Sequence, residues 1–399
     1  MQQPHSLVNR SRGRRLRLGL SWSLLFICGF PAWAKDTVSP PESTPPLARR
    51  VIQQNECTPV NLPSRVPSTD LNHARLQSNG WCFAFAAADL FSYKTGTDVS
   101  ATAIAAAYYH HAPVIERSLS KTLQNYGESI WSHKSIKTSD KEGGHITRVL
   151  RTVIDDGFVC AENGVRSQFG NIGDVSIDVY LEMMDKIEAA YWDLDDMDLE
   201  DFDDPSFTST KAVQDGCIKN ETLQASRIIF PGLELKDLVR VAQRSSRETF
   251  FYDLTRWGCK ATRIPRGKQK YQTRRVDLMN REDADEKSAG DAGVKAIHEQ
   301  LSKGNPVIIS YSQNGLFDPA FSYRSMIRNN RPNPSEIDHA SSVMGRRWNP
   351  SKQECEYQIK NSWGTDCSLY SPAYECKYGL IWASESQISD FVGEVTWLE

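Results

Sequence analysis

The sequence has no marked excess of charge of either sign, with 47 Lys and Arg against 50 Asp and Glu in 399 residues. Nothing in that balance draws the chain to nucleic acid. Its 24 glycines and 19 prolines are too few for a collagenous chain, and its 39% hydrophobic content is too high for a disordered one. Nine cysteines in this length exclude a small disulfide knot. The apolar run from Leu18 to Phe30 is too short to span a bilayer comfortably, and no internal repeat is evident. What is present is an ordinary globular composition, 24% charged, at a length that gives two domains or one large domain with insertions.

Five arginines, Arg10, Arg12, Arg14, Arg15 and Arg17, precede that apolar run, and Pro31-Ala32-Trp33-Ala34 follows it. A basic start, a short apolar stretch and small residues at the A-x-A positions read as a secretory signal over residues 1–34, cleaved near Lys35. Its removal takes away five arginines and no acids, which leaves 42 basic and 50 acidic residues, a net charge of about −8. The expected product is exported to the periplasm or the extracellular space, with no stable membrane span and no nucleic-acid partner. Eight cysteines then remain. A catalytic thiol kept free would leave seven others, so at least one more must be unpaired. Cys367 and Cys376, separated by a Pro-bearing turn, are the expected disulfide.

Along the chain, residues 35–56 begin with a stretch rich in Pro, Ser and Thr and read as a linker. Residues 57–164 hold two packed helices. One starts at Trp81-Cys82 and is apolar almost all round; the other carries Ile146, Val149, Leu150, Val153 and Ile154 at helical spacing. Residues 165–290 change character, with polar helices, an acidic run from Asp193 to Asp204 and a basic one from Lys260 to Arg275, and read as an insertion. The acidic run lacks the glycine and glutamate spacing of an EF-hand, and no metal is expected. Residues 291–399 add strand-like runs at 306–311, 339–344 and 356–360. Helices first and antiparallel strands later predict an α+β fold.

Three segments carry chemistry. A thiol becomes a strong nucleophile as thiolate, which the free N–H groups of a helix start stabilise, and Cys82 sits at such a start. His339 opens an apolar strand, a rigid place from which an imidazole faces a cleft. In Lys360-Asn361-Ser362-Trp363-Gly364, Asn361 can accept an imidazole N–H and Trp363 can cover that bond from water.

These segments together resemble the papain-like cysteine peptidases: Gln77-Ser78-Asn79-Gly80-Trp81-Cys82-Phe83 the nucleophile segment, Asp338-His339-Ala340 the histidine segment, and Lys360 to Gly364 the asparagine segment. Glu142-Gly143-Gly144-His145 is similar to the family's cleft-wall glycines. The likeness covers about 57–165 and 290–399. It implies a two-lobed fold, a helical left lobe and a β right lobe with a cleft between them. It also implies Cys82 as nucleophile with a lowered pKa, His339 as its partner and general acid, Asn361 as orienter and Trp363 as shield, with no cofactor. The oxyanion would be met by the Cys82 N–H and an amide from Gln77, or failing that Asn79. Gly143 and Gly144 would pair with an extended polypeptide substrate, and His145, Ile146, Ile337 and Ala340 would line a pocket favouring an apolar side chain two residues before the cut.

Three departures from the family stand out. Gln77 lies five rather than six residues before Cys82, and Asn79 replaces a customary cysteine, which leaves Cys160 to pair differently. His339 and Asn361 follow Cys82 by 257 and 279 residues, against roughly 130 to 150 in papain-type chains. The insertion or the segment Lys35–Asn61 is expected to lie over the cleft and restrain the enzyme. The alternatives are a papain-fold protein that binds peptides without cutting them, and an acyl transferase using the same triad.

Overall fold

The computed structural model describes residues 51–62, 76, 81–111, 144–167, 177–203, 208–265, 273–277, 286–318 and 337–399. The chain divides into two units, Met1–Leu47 and Ala48–Glu399, and every described residue belongs to the second. The signal and the proline-rich stretch therefore lie outside the described residues, as do Gln77, Asn79 and Gly143.

The fold is α+β. Helix α1 (Cys82–Thr95) buries Cys82 through Tyr93 without a gap, as its apolar sequence requires, and ends at Gly96. Helices α2 (Ala101–His111) and α3 (Ile146–Asp156) pack on it and on each other. Then come β2 (Phe158–Cys160), α4 (Ile177–Ala189), α5 (Tyr191–Asp195), α6 (Ser209–Gln214), α7 (Asn220–Ile229), α8 (Leu235–Ala242) and α9 (Phe250–Cys259). Their buried residues, Met184, Ile187, Leu223, Leu238, Phe250 and Leu254 among them, join the same core as α1.

The chain then turns to a sheet. Strands β4 (Thr273–Asp277), β5 (Val307–Tyr311), β6 (His339–Asn349), β7 (Glu354–Lys360), β8 (Glu375–Lys377), β9 (Leu380–Ser384) and β10 (Val392–Leu398) run antiparallel in the order β4-β10-β5-β6-β7-β9-β8. A two-residue strand β1 (Val60–Asn61) pairs with β6 at Arg346 and Gly345. A Cβ at Gly345 would lie 2.9 Å from the Val60 carbonyl oxygen, so only glycine admits that strand. Ile308 and Ala340 face the α1 core, while Val307, Ile309, Tyr311 and Val343 face a second core with helices α10 (Glu286–Ser302), α11 (Asn314–Phe317) and α12 (Glu385–Phe391). Burial on both faces explains why β5 reads as a continuous apolar run.

Two strands arise from the stretch read as an insertion. β3 (Arg263–Pro265) pairs with β2, and β4 forms the sheet edge against β10. Part of the basic block is thus strand rather than helix. Arg274, on β4, pairs with Glu399. Among the described residues three disulfides close the chain: Cys57–Cys355, Cys160–Cys259 and Cys367–Cys376. Cys160–Cys259 ties α9 to the strand after α3. Cys82 and Cys217 are free. Among the described residues, no helix is long and apolar enough to cross a membrane.

Candidate functional site

Cys82 is the first residue of α1, where the backbone N–H groups have no helical acceptor. The residue is 7% exposed, and its sulfur receives hydrogen bonds from the amides of Ala340 and Phe83 and from its own N–H. The Ala340 amide brings β6 to the thiol, and His339 is the residue before it. His339 is 5% exposed and stands opposite Tyr311 in the β5–β6 register.

Asn361 follows β7, and its Oδ1 accepts from the Ser362 N–H at 2.7 Å, a group that can only donate. That atom is therefore the carbonyl oxygen. The His339 Nε2 lies 2.6 Å from it and must carry its proton there, which leaves Nδ1 as the acceptor nitrogen. The Ser341 hydroxyl donates to the same oxygen at 3.1 Å, and Asn361 Nδ2 donates to the Tyr370 hydroxyl at 3.2 Å. Tyr311 and Ser341 hydroxyls meet at 2.9 Å; with Ser341 donating to Asn361, Tyr311 supplies the proton of that bond. Three polar side chains, Ser341, Tyr370 and Tyr311, and the Ser362 N–H thus hold the imidazole through one amide.

The rings around it exclude water. Trp363 lies 4.8 Å from the His339 ring, and Phe317 and Tyr370 stack on Trp363 at 5.3 and 5.8 Å. Tyr311 meets His339 edge-on at 5.4 Å. Below them Lys360, adjacent to Asn361, makes a 3.0 Å ion pair with Asp89 of α1, whose other oxygen accepts from Ser342 at 3.1 Å. Ser342 and Lys360 are partners in the β6–β7 register, so both turn toward α1.

Burial decides the charge state. It pushes the Cys82 thiol up to about 11, against the three amide bonds and with help from the Asp338 charge. It takes His339 down to about 4, with the Asn361 bond opposing. Burial thus acts against the expected lowered thiol: desolvation of both groups favours neutral thiol and neutral imidazole. Asp338, itself raised by burial, is held by the Gln313 amide and side chain at 2.9 and 2.8 Å.

Of the expected pocket residues, Ile146 and Ala340 are buried in the core that holds Cys82, Ile337 is half-buried, and Gly144 and His145 are exposed. The Gly144 backbone runs against the Phe83 ring so closely that a Cβ would lie 2.9 Å from it. Tyr311, Ser341, Tyr370 and Phe317 are not among the residues singled out from sequence. Ser341 was findable, since residue i+2 on a strand shares the face of His339.

No family model matches the chain, and no curated protein matches it. Among solved structures, PepW from Lactobacillus rhamnosis HN001 is similar over 86% of this chain and 82% of its own, at 12% identity and a TM-score of 0.39. SERA5E from Plasmodium falciparum is similar over 83% of this chain and 91% of its own, at 12% identity and a TM-score of 0.33. At TM-scores this low neither likeness carries weight.

Proposed function

We propose that the chain is an exported cysteine endopeptidase of papain-like, two-lobed architecture, with residues 165–290 inserted between the lobes' sequences. The observation that carries this reading is the bond from His339 Nε2 to an Asn361 oxygen fixed by the Ser362 N–H. It leaves Nδ1 unprotonated, and the Cys82 sulfur rests on the amide of the very next residue, Ala340.

From a neutral pair the chemistry runs by general base catalysis. His339 Nδ1 takes the thiol proton as the sulfur attacks the peptide carbonyl, and returns it to the leaving amine as the C–N bond breaks. Water, deprotonated at the same nitrogen, then releases the acyl group and restores the thiol. The Cys82 N–H and an amide of Gln77 or Asn79 would meet the oxyanion, each worth roughly 2.7–4 kcal/mol. Ile146, Ile337 and Ala340 favour an apolar residue two before the cut.

Labelling with an epoxysuccinyl thiol-protease inhibitor tests the assignment. A single label on Cys82, absent in Cys82→Ala together with peptide hydrolysis, is the expected result. The buried, neutral pair favours a second reading, a peptide-binding protein of the same fold. Peptide binding with neither labelling nor hydrolysis would establish that reading and remove the first.

A further inference from the structure

Where the described part of the chain begins, the backbone rests on a carboxylate that meets no cation among the described residues. Glu385, the first residue of α12, is 2% exposed. Its Oε1 accepts from the Val51 N–H at 3.0 Å and its Oε2 from the Ile52 N–H at 3.2 Å. The charged groups that face it are acidic, Glu354 from β7 and Asp291 from α10, and the Tyr357 hydroxyl of β7 lies near it too. Among the described residues no Lys, Arg or His acts on it. Burial, with those two carboxylates behind it, holds Glu385 up at about 7 although the two amide bonds oppose the shift. Buried carboxylates are ordinarily paired, because an unpaired one bears its desolvation cost alone. Among the described residues, what this site lacks is one positive charge at the position of the Val51 nitrogen.

The residues just before that nitrogen are Arg49-Arg50. We propose that the Arg50–Val51 bond is a processing site, and that Glu385 is the receptor for the α-ammonium group that cutting there creates. An endopeptidase that cuts after arginine adds one water across the bond, leaving a carboxylate on Arg50 and an amine on Val51. That amine, with an ordinary pKa of roughly 7.7–8.0, takes up a proton from solvent at neutral pH. The nitrogen already stands 3.0 Å from Oε1, so the ion pair forms without moving the chain. The new terminus also stays attached: Ile52 is buried, Cys57 is bonded to Cys355, and Val60 and Asn61 are paired to β6. Each charge then favours the other. The helix that Glu385 opens ends at Phe391, whose ring lies 5.3 Å from Tyr311, the neighbour of His339. Neither the cut nor the latch requires Cys82 to be a nucleophile.

The test treats the full chain, natively folded, with an arginine-specific endopeptidase, then reads the new N-terminus by sequencing and the thermal unfolding midpoint at pH 7. The expected product begins Val51-Ile52-Gln53 and unfolds about 2 °C or more above the uncut chain. That gain is lost in Glu385→Gln, and lost again when the new α-amino group of the wild type is acetylated. The acetylation arm decides the matter even if Glu385→Gln does not fold. A cut chain no more stable than the intact one, a gain that survives acetylation, or resistance of the Arg50–Val51 bond while other bonds are cut would each overturn the proposal.

Discussion

The Asp89–Lys360 pair offers the most direct test of how the nucleophile helix is joined to the sheet. Its side chains are 7% and 2% exposed, its Nζ–Oδ1 distance is 3.0 Å, and Ser342 satisfies the second carboxylate oxygen. At an effective dielectric near 20 the attraction at that distance is about 5 kcal/mol. Desolvation of two ions, several kcal/mol each, offsets nearly all of it. The pair is therefore worth little as a unit, yet losing half of it leaves a charge in a dry core. Asp89→Leu or Lys360→Met alone should each cost about 3–5 kcal/mol, whereas the double variant should lie within about 1–2 kcal/mol of wild type. Equilibrium unfolding in guanidinium chloride, with the disulfides intact, measures all four states of the cycle. Additive losses, or single losses below about 1 kcal/mol, would mean that water reaches the pair, and the physical account of the junction would fail. Because Asp89 lies two turns along α1 from Cys82 and Lys360 precedes Asn361, the single variants should also reduce turnover more than they raise KM.

Two further outcomes follow from the site itself. With His339 at about 4, kcat/KM should rise through an acid limb near pH 4 and show no fall until the thiol ionises near 11; Asn361→Asp, which puts a carboxylate on Nε2, should move the acid limb upward, and an unmoved limb would separate it from His339. The lowered imidazole also binds fewer protons folded than unfolded, so its contribution to stability, about 3 kcal/mol at most, is full above pH 6.5 and lost as pH falls from there to about 4, which a histidine NMR titration of the folded chain checks. Gly144→Ala places a Cβ 2.9–3.0 Å from three atoms of the Phe83 ring, and should cost about 1–3 kcal/mol and lower turnover by displacing the residue after Cys82. Unchanged unfolding and kinetics for that variant would show that the ring yields freely.

What was legible in the chain depended on how far apart the cooperating residues lie. Helix α1, helix α3 and the strand starting at His339 follow from local patterns of apolar residues, because burial leaves a periodic mark within a dozen positions. The supports of the imidazole leave no such mark. Asp89 reads as one polar residue in an alanine-rich helix, and only the fold shows that it meets Lys360, 271 residues later. Tyr311 reads as the last residue of a buried strand until β5 and β6 are set in register and its hydroxyl meets Ser341. β4 was hidden for a different reason: five residues straddling the end of a basic block have too little alternation to declare a strand, and pairing with β10 supplies the rest. The cysteines show the same division. Parity implied a second unpaired thiol beside Cys82 once a free nucleophile was assumed, and Cys217 fills that place. Which cysteine meets which was a question of tertiary approach, and the Cys160–Cys259 bond answers it by fastening the end of α9 to the strand that follows α3. That bond gives the long stretch after 165 a covalent hold on the helical core containing Cys82. Its reduction should therefore loosen that core's outer helices before it disturbs the sheet that carries His339 and leads into Asn361.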